Sequence, residues 1–258
     1  MKKKTKIMRT AAAISAAVLI SGGVYLMFRN DLAQKLSYRR LKPFMPDITV
    51  LDNCMPDPEI SDVSDVPVHL PEDKKQELTK QVQEVCGSFN DSIGWLYIPN
   101  TSINYPVMYS GDNDYYLHRA YDGSYLYSGS VFLDGRCGQD FSDRINILYG
   151  HNMHNGSMFA DVISFTDESY FETHSVGWLT VSDSVYRIDF FSLSQPECYD
   201  SFYDVTKDIS VWLDRLKSSS LIYRDIPIND ESRYICLSTC TGAEGTSRTV
   251  LTGKLTEV

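Results

Sequence analysis

The pattern of apolar and polar positions changes character along the chain. Ala11 to Phe28 is an uncharged apolar run closed by Arg29. Eighteen residues at about 1.5 Å each reach roughly 27 Å, close to the ~30 Å of a bilayer's hydrocarbon core, which predicts a membrane-spanning helix over 10–29. Asp31 to Leu41 then presents Leu32, Leu36 and Tyr38 as isolated apolar points, a short juxtamembrane helix ended by Pro43 and Pro46. Over 46–71 the periodicity disappears: Pro46, Pro56, Pro58, Pro67 and Pro71 stand among many Asp, which reads as an extended or mobile spacer. Pro71-Glu72-Asp73 opens a further helix, because Pro suits the first turn and acids suit the positive end of the helix dipole. Leu78, Val82 and Val85 give its apolar stripe and Gly87 a stop.

From Ile93 the period shortens to that of strands. Trp95–Ile98, Tyr105–Tyr109, Ser130–Leu133, Ile145–Tyr149, Gly177–Val181, Tyr186–Leu193, Tyr234–Thr239 and Thr249–Leu255 are short β-rich runs separated by turn residues, the pattern of a barrel or sandwich. Two helical segments interrupt them, about 158–170 and about 205–218; the second has Ile209, Trp212, Leu213 and Leu216 at helical spacing. There is no internal repeat.

Composition agrees with a β-rich domain, since 17 Tyr and 11 Phe favour strands. Charge adds an asymmetry. Lys2, Lys3, Lys4, Lys6 and Arg9 precede the apolar run; of the 24 basic and 34 acidic residues, this leaves 19 basic against 34 acidic beyond it. The acidic body argues against nucleic acid as a partner. The basic tail, residues 1–9, keeps the N-terminus cytoplasmic and places the rest of the chain outside. Ser21-Gly22-Gly23 offers a cleavage site for a signal peptidase, but Val24–Phe28 continue the apolar run past it, which favours an uncleaved anchor.

The six cysteines form no CxxC pair, so a zinc ribbon or dithiol redox site is unsupported. On one strand Cys236 and Cys240 stand about 13 Å apart, beyond the ~7 Å a disulfide spans. Side chains of a strand alternate, so Cys236, Ser238 and Cys240 share one face and Leu237 and Thr239 the other. Gly242 and Gly245 follow in a loop, and a hairpin returns Arg248 beside Cys240, where a guanidinium favours thiolate and an oxyanion. Taken alone, a cysteine at a strand end is more often a small buried hydrophobe. His151 ends the apolar strand Ile145–Tyr149 and is placed to exchange a proton with a thiol, although a histidine at a strand end also serves as a plain loop residue. His151 and His154 are three apart, but no carboxylate pattern accompanies them as in a metal site.

Together these segments resemble the sortase family. Leu237-Ser238-Thr239-Cys240 followed by Arg248 is similar to its Thr-Leu-x-Thr-Cys…Arg signature, and Tyr149-Gly150-His151 to its histidine segment. Asn113-Asp114-Tyr115-Tyr116-Leu117, Gly129–Asp134, the helix at 205–218 and the helix before Ile93 resemble class B in particular. The resemblance covers about 72–258. Cys236 stands where the family often has Thr, and the loop to Arg248 is compact for class B.

The resemblance implies a mainly β fold: a closed sortase-type barrel with an N-terminal helix and an inserted helix before the cysteine strand, beyond a transmembrane anchor (10–29) and a spacer (30–71). It implies a thiol transpeptidase without metal or cofactor. Cys240 attacks the Thr carbonyl of an Asn-Pro-x-Thr-like C-terminal sorting motif on secreted proteins, His151 moves the proton, and Arg248 holds the oxyanion or the substrate backbone. An amine of the peptidoglycan cross-bridge then resolves the thioester, which places the enzyme at the cell membrane with its catalytic domain outside. A pilin lysine as acceptor is the neighbouring alternative. Asn113, Leu117 and Ser238 match positions of the substrate groove; as plain structure they would be a turn residue, a core residue and a satisfied strand hydroxyl. The Ser-His-Gly-x-x-x-Cys-like spacing of an L,D-transpeptidase is missing, His151 and Cys240 being 89 positions apart. A membrane-tethered binding domain without enzymatic activity is the remaining alternative.

Overall fold

A computed structural model describes the backbone of residues 2–52, 54, 70–228, 231–242 and 245–258, and within these ranges the side chains from residue 22 onward. Two units form, residues 1–43 and residues 44–258. In the first, α1 runs unbroken from Lys2 to Leu41. The anchor and the juxtamembrane helix, expected as separate elements, share one backbone helix because no proline precedes Pro43. Much of the expected span, residues 10–21, lies outside the residues whose side chains are described. Among the described residues no helix is long and apolar enough to cross a membrane.

Of the expected spacer, residue 53 and residues 55–69 lie outside the described residues. Residues 47–52 are packed rather than extended. Thr49–Asp52 forms the short helix α2, the Asp47 amide donates to Gln81 Oε1 (2.6 Å), and the Tyr97 hydroxyl donates to Asp52 Oδ1 (2.5 Å). Helix α3 (Glu72–Ser88) starts after Pro71 as expected and buries Leu78, Val82 and Val85. Gly87 does not stop it; the chain leaves the helix at Phe89, whose backbone is extended.

Among the described residues nine strands follow: β1 (Ser92–Tyr97), β2 (Asn104–Met108), β3 (Val131–Leu133), β4 (Ile145–Tyr149), β5 (Val176–Thr180), β6 (Val185–Ser194), β7 (Ser220–Tyr223), β8 (Arg233–Cys240) and β9 (Arg248–Glu257). Their order is β5-β1-β2-β3-β4-β8-β9-β6-β7, and a further pairing of β5 with β6 closes eight of them into a barrel, leaving β7 on its flank. Closure removes the free edges that an open sheet exposes. β2–β3 and β4–β8 are parallel, and the other pairs antiparallel.

Strand alternation divides the core in two. Ile235 and Leu237 of β8 point inward with Leu96, Val107, Leu148 and Leu251. Tyr234 and Cys236 point outward and pack against Phe191, Phe202, Trp212 and Leu216. The last two belong to α5 (Ile209–Ser219), which Asp208 starts by accepting from the Ser210 amide at 2.9 Å. Burying Trp212 and Leu216 contributes on the order of 3–6 kcal/mol before entropy. The helix expected over 158–170 is split into a 3-10 segment, Ala160–Thr166, and α4, Glu168–Thr173. Asp167 makes the break, because its carboxylate takes the Tyr170 amide (3.0 Å) and starts a new helix there.

Candidate active site

β4 and β8 run side by side in parallel, with Tyr149 opposite Ser238. The register continues past the strand ends: the Gly150 amide donates to Ser238 O (3.2 Å) and Thr239 Oγ1 donates to Gly150 O (2.8 Å). His151 and Cys240 therefore arrive together at one end of the barrel, and Asn152 Nδ2 donates to the Cys240 carbonyl at 3.1 Å. Glycine is needed before the histidine. A Cβ at Gly150 would stand 2.7 Å from the ring of Phe159, which is fully buried.

The β8–β9 hairpin makes Arg248 the direct partner of Cys240. The Arg248 amide donates outward to Pro196 O (2.8 Å), away from β8. Cys240 and Arg248 thus form a non-hydrogen-bonded pair, the kind whose Cα atoms stand about 4.5 Å apart and whose side chains lie closest. The guanidinium rests on the Ser247 carbonyl (Nη1–O 3.1 Å). Among the described residues no carboxylate pairs with it.

All six residues singled out from the sequence line one cavity of about 720 Å³: Cys240, His151, Arg248, Asn113, Leu117 and Ser238. It lies against the outer wall of the barrel, the face of β8 that carries Ser238 and Cys240, and the β6–α5 connection forms its far side. His154 does not line it. Among the described residues no group of three or more His, Cys, Asp or Glu side chains is placed to hold a metal ion.

The three expected groove residues act differently from one another. Asn113 Oδ1 accepts the Gly135 amide (2.7 Å) and clamps the exit of β3. Ser238, 2% exposed, shares a hydrogen bond with the Tyr203 hydroxyl (2.9 Å), which ties β8 to the 3-10 turn Ser201–Tyr203. Leu117 offers its carbonyl to His151 Nε2 at 2.9 Å. A carbonyl only accepts, so Nε2 carries the hydrogen and the neutral ring keeps its lone pair on Nδ1. Burial holds His151 below the ordinary histidine range; the Leu117 bond opposes this, and the neighbouring His118 adds to it. A neutral imidazole of this kind is ready to accept a proton from a thiol.

Arg136 and Tyr203 also line the cavity, and neither carried a recognisable signal in the sequence. Arg136 pairs with Asp134, whose side chain is fully buried. Asp134 accepts from Arg136 (Nε 2.9 Å, Nη2 2.6 Å) and from the Tyr149 hydroxyl (2.8 Å). Burial alone would raise its carboxyl, but the bonds from Arg136 and Tyr149 outweigh that and hold it below its usual value. Burial pushes the phenols of Tyr149 and Tyr203 up, so both stay protonated. The Asp-Gly-Arg turn directly after a strand was the available hint, since the Arg136 amide also bonds Asp134 (2.9 Å) in an Asx turn. A thiol, a neutral imidazole and a guanidinium with no carboxylate partner among the described residues, all in one cleft, constitute equipment for acyl transfer through a thioester.

No protein-family model matches the chain. Sortase B of Listeria monocytogenes is 33% identical over 187 residues, which cover 69% of this chain and 75% of that protein. The Staphylococcus aureus sortase B–substrate complex superposes with a TM-score of 0.65 at 28% identity, over 69% of this chain and 85% of the other. A class B sortase of Streptococcus pyogenes involved in pilus biogenesis gives a TM-score of 0.62 at 28% identity, over 67% and 97%.

Proposed function

The chain belongs to the class B sortases and is a cysteine transpeptidase, and from that premise we propose that it joins secreted surface proteins to the cell wall. In this reading the Cys240 sulfur attacks the Thr carbonyl of an Asn-Pro-x-Thr-like sorting motif while His151 takes the thiol proton. The peptide C–N bond breaks, His151 returns the proton to the departing amine, and a thioester to Cys240 remains. Arg248 faces the negative charge that develops on the carbonyl oxygen. A peptidoglycan amine then attacks the thioester and gives up a proton to His151, the C–S bond breaks as the amide forms, and His151 passes the proton to the Cys240 sulfur. The observation that carries the reading is the convergence of Cys240, His151 and Arg248 on one cavity through the β4–β8 and β8–β9 registers.

The basic residues before the apolar run Ala11–Phe28 support a cytoplasmic N-terminus, a single membrane anchor and an outward-facing catalytic domain. Likeness to a sortase involved in pilus biogenesis favours a second reading, in which a pilin lysine replaces the cell-wall amine. Incubation of the full chain with a fluorogenic Asn-Pro-x-Thr-type peptide tests the first step: wild type cleaves it and Cys240→Ala does not. Adding either a cross-bridge amine or a purified pilin then identifies the acceptor by the mass of the product. If wild type turns over no sorting peptide and thiol reagents leave Cys240 unlabelled, the reading fails.

A further inference from the structure

The 3-10 turn Tyr115–His118 touches His151 through two consecutive residues. Leu117 supplies the carbonyl that accepts from Nε2. His118 lays its ring on the His151 ring, with centroids 5.5 Å apart and planes 17° from parallel. His118 is itself fixed. Its Nδ1 meets Tyr127 O at 2.9 Å, and its ring stacks on Tyr127 at 5.8 Å and 23°. The Tyr127 carbonyl only accepts, so Nδ1 of His118 carries the hydrogen and Nε2 remains open to a second proton. A ladder of three rings, Tyr127, His118 and His151, therefore stands beside the cavity, and its last member is the imidazole that lines it.

We infer, on the reading of His151 given above, that His118 is a positioning residue for His151: its ring fixes the plane of the imidazole, and its charge state decides how readily that imidazole takes up a proton. Two physical effects act. The stack and the Leu117 bond together hold the His151 ring against rotation, which would put ring carbons where Nδ1 and Nε2 now stand. A proton on His118 places a positive charge a ring's width from His151 and disfavours a second one there. The direction agrees with the depressed proton affinity of His151, to which His118 contributes. Among the described residues, the other rings against His118 are those of Tyr125, at 6.4 Å, and Tyr127. Arg119, the next residue, has its guanidinium over Tyr115 instead.

Two variants of the full chain separate the effects. His118→Phe keeps a ring on His151 and removes the charge; His118→Ala removes both. The protein has five histidines, few enough for each ring to be followed by NMR after 13C labelling. The His151 midpoint rises in both variants, and the acid limb of kcat/KM for peptide cleavage moves to higher pH with it. His118→Ala lowers kcat on the order of tenfold with KM little changed, while His118→Phe stays within about threefold of wild type. An unchanged His151 midpoint in His118→Phe, or a His118→Ala enzyme that turns over like wild type, overturns the inference. His118→Phe decides the matter if His118→Ala does not fold. The titration needs no turnover, so it still reads His118 if no peptide is cleaved, a result that counts against the proposed function instead.

Discussion

Gly129→Ala puts the support of His151 under direct strain. Gly129 has φ +58°, and a Cβ there would lie 2.3 Å from Tyr116 O and 2.4 Å from Leu117 O, the carbonyl that holds His151. Two penalties combine. Holding an alanine in the left-handed region costs about 1–2 kcal/mol. Both crowded atoms belong to backbone, so the clash costs a further ~1–3 kcal/mol in displacement. The total, roughly 2–5 kcal/mol, corresponds to a fall in Tm of about 4–20 °C for a domain of this size. Gly123 provides the control: its φ is +78°, and nothing lies within 4 Å of its Cβ position. Gly123→Ala should therefore show the first penalty alone, and the difference between the variants isolates the clash. The activity consequence follows from distance. Contacts under 3.0 Å are not tolerated, so Leu117 O must move by at least ~0.6 Å, and a misplacement near 1 Å costs up to about a hundredfold. Thermal and urea unfolding followed by tryptophan fluorescence give the stabilities; peptide cleavage gives kcat/KM. If Gly129→Ala is no less stable and no less active than Gly123→Ala, Leu117 O does not hold His151 in the way described.

Further outcomes follow from the same geometry. Gly150→Ala should lose about 1–3 kcal/mol against the buried Phe159 ring, and Gly150→Ala/Phe159→Leu should recover part of that loss; a double-mutant cycle in urea measures the coupling. Asp134 is held below its unfolded value, so its stabilising share is present above the unfolded pKa of ~3.9 and lost as pH falls through the lower folded value. Wild type should therefore lose more stability than Asp134→Asn between pH 5 and pH 2, and parallel urea midpoints across that range would contradict this. Ser238→Ala breaks a buried bond to Tyr203 and should cost about 1 kcal/mol, with Tyr203→Phe costing no more when added to it. The acid limb of wild-type kcat/KM should lie below the ordinary histidine value of ~6.5, because burial disfavours the charged ring. A limb above that value would place the controlling proton elsewhere.

Much of the barrel was legible because alternation is a local signal. β4 begins and ends where its apolar run does, and most other strands differ by one or two residues. β7 was not foreseen: Ser220–Tyr223 is a short edge strand without alternating burial, and pairing with β6 defines it. The periodicity over 158–170 predicts one continuous helix because it is blind to the side-chain cap of Asp167. Cys240, His151 and Arg248 were found through strand geometry and family motifs, and the registers bring them together. What surrounds them was not legible. A backbone carbonyl such as Leu117 O carries no sequence signature, and the stack of His118 on His151 joins segments whose contact exists only once the barrel has closed.

The place of β9 in the sheet has a consequence in time. β9 is the last barrel strand in chain order, yet it lies between β8 and β6 and bonds to both. While the chain is being synthesised, every residue up to Cys240 can have emerged and the sheet is still open, with β6 and β8 as bare edges. Such edges are where nascent chains associate wrongly. Arg248 is the first residue of β9, so the thiol gains its guanidinium neighbour in the same event that seals the sheet. The Cys240–Arg248 pair and the completed sheet therefore arrive together, and a partly made chain presents Cys240 without its guanidinium neighbour.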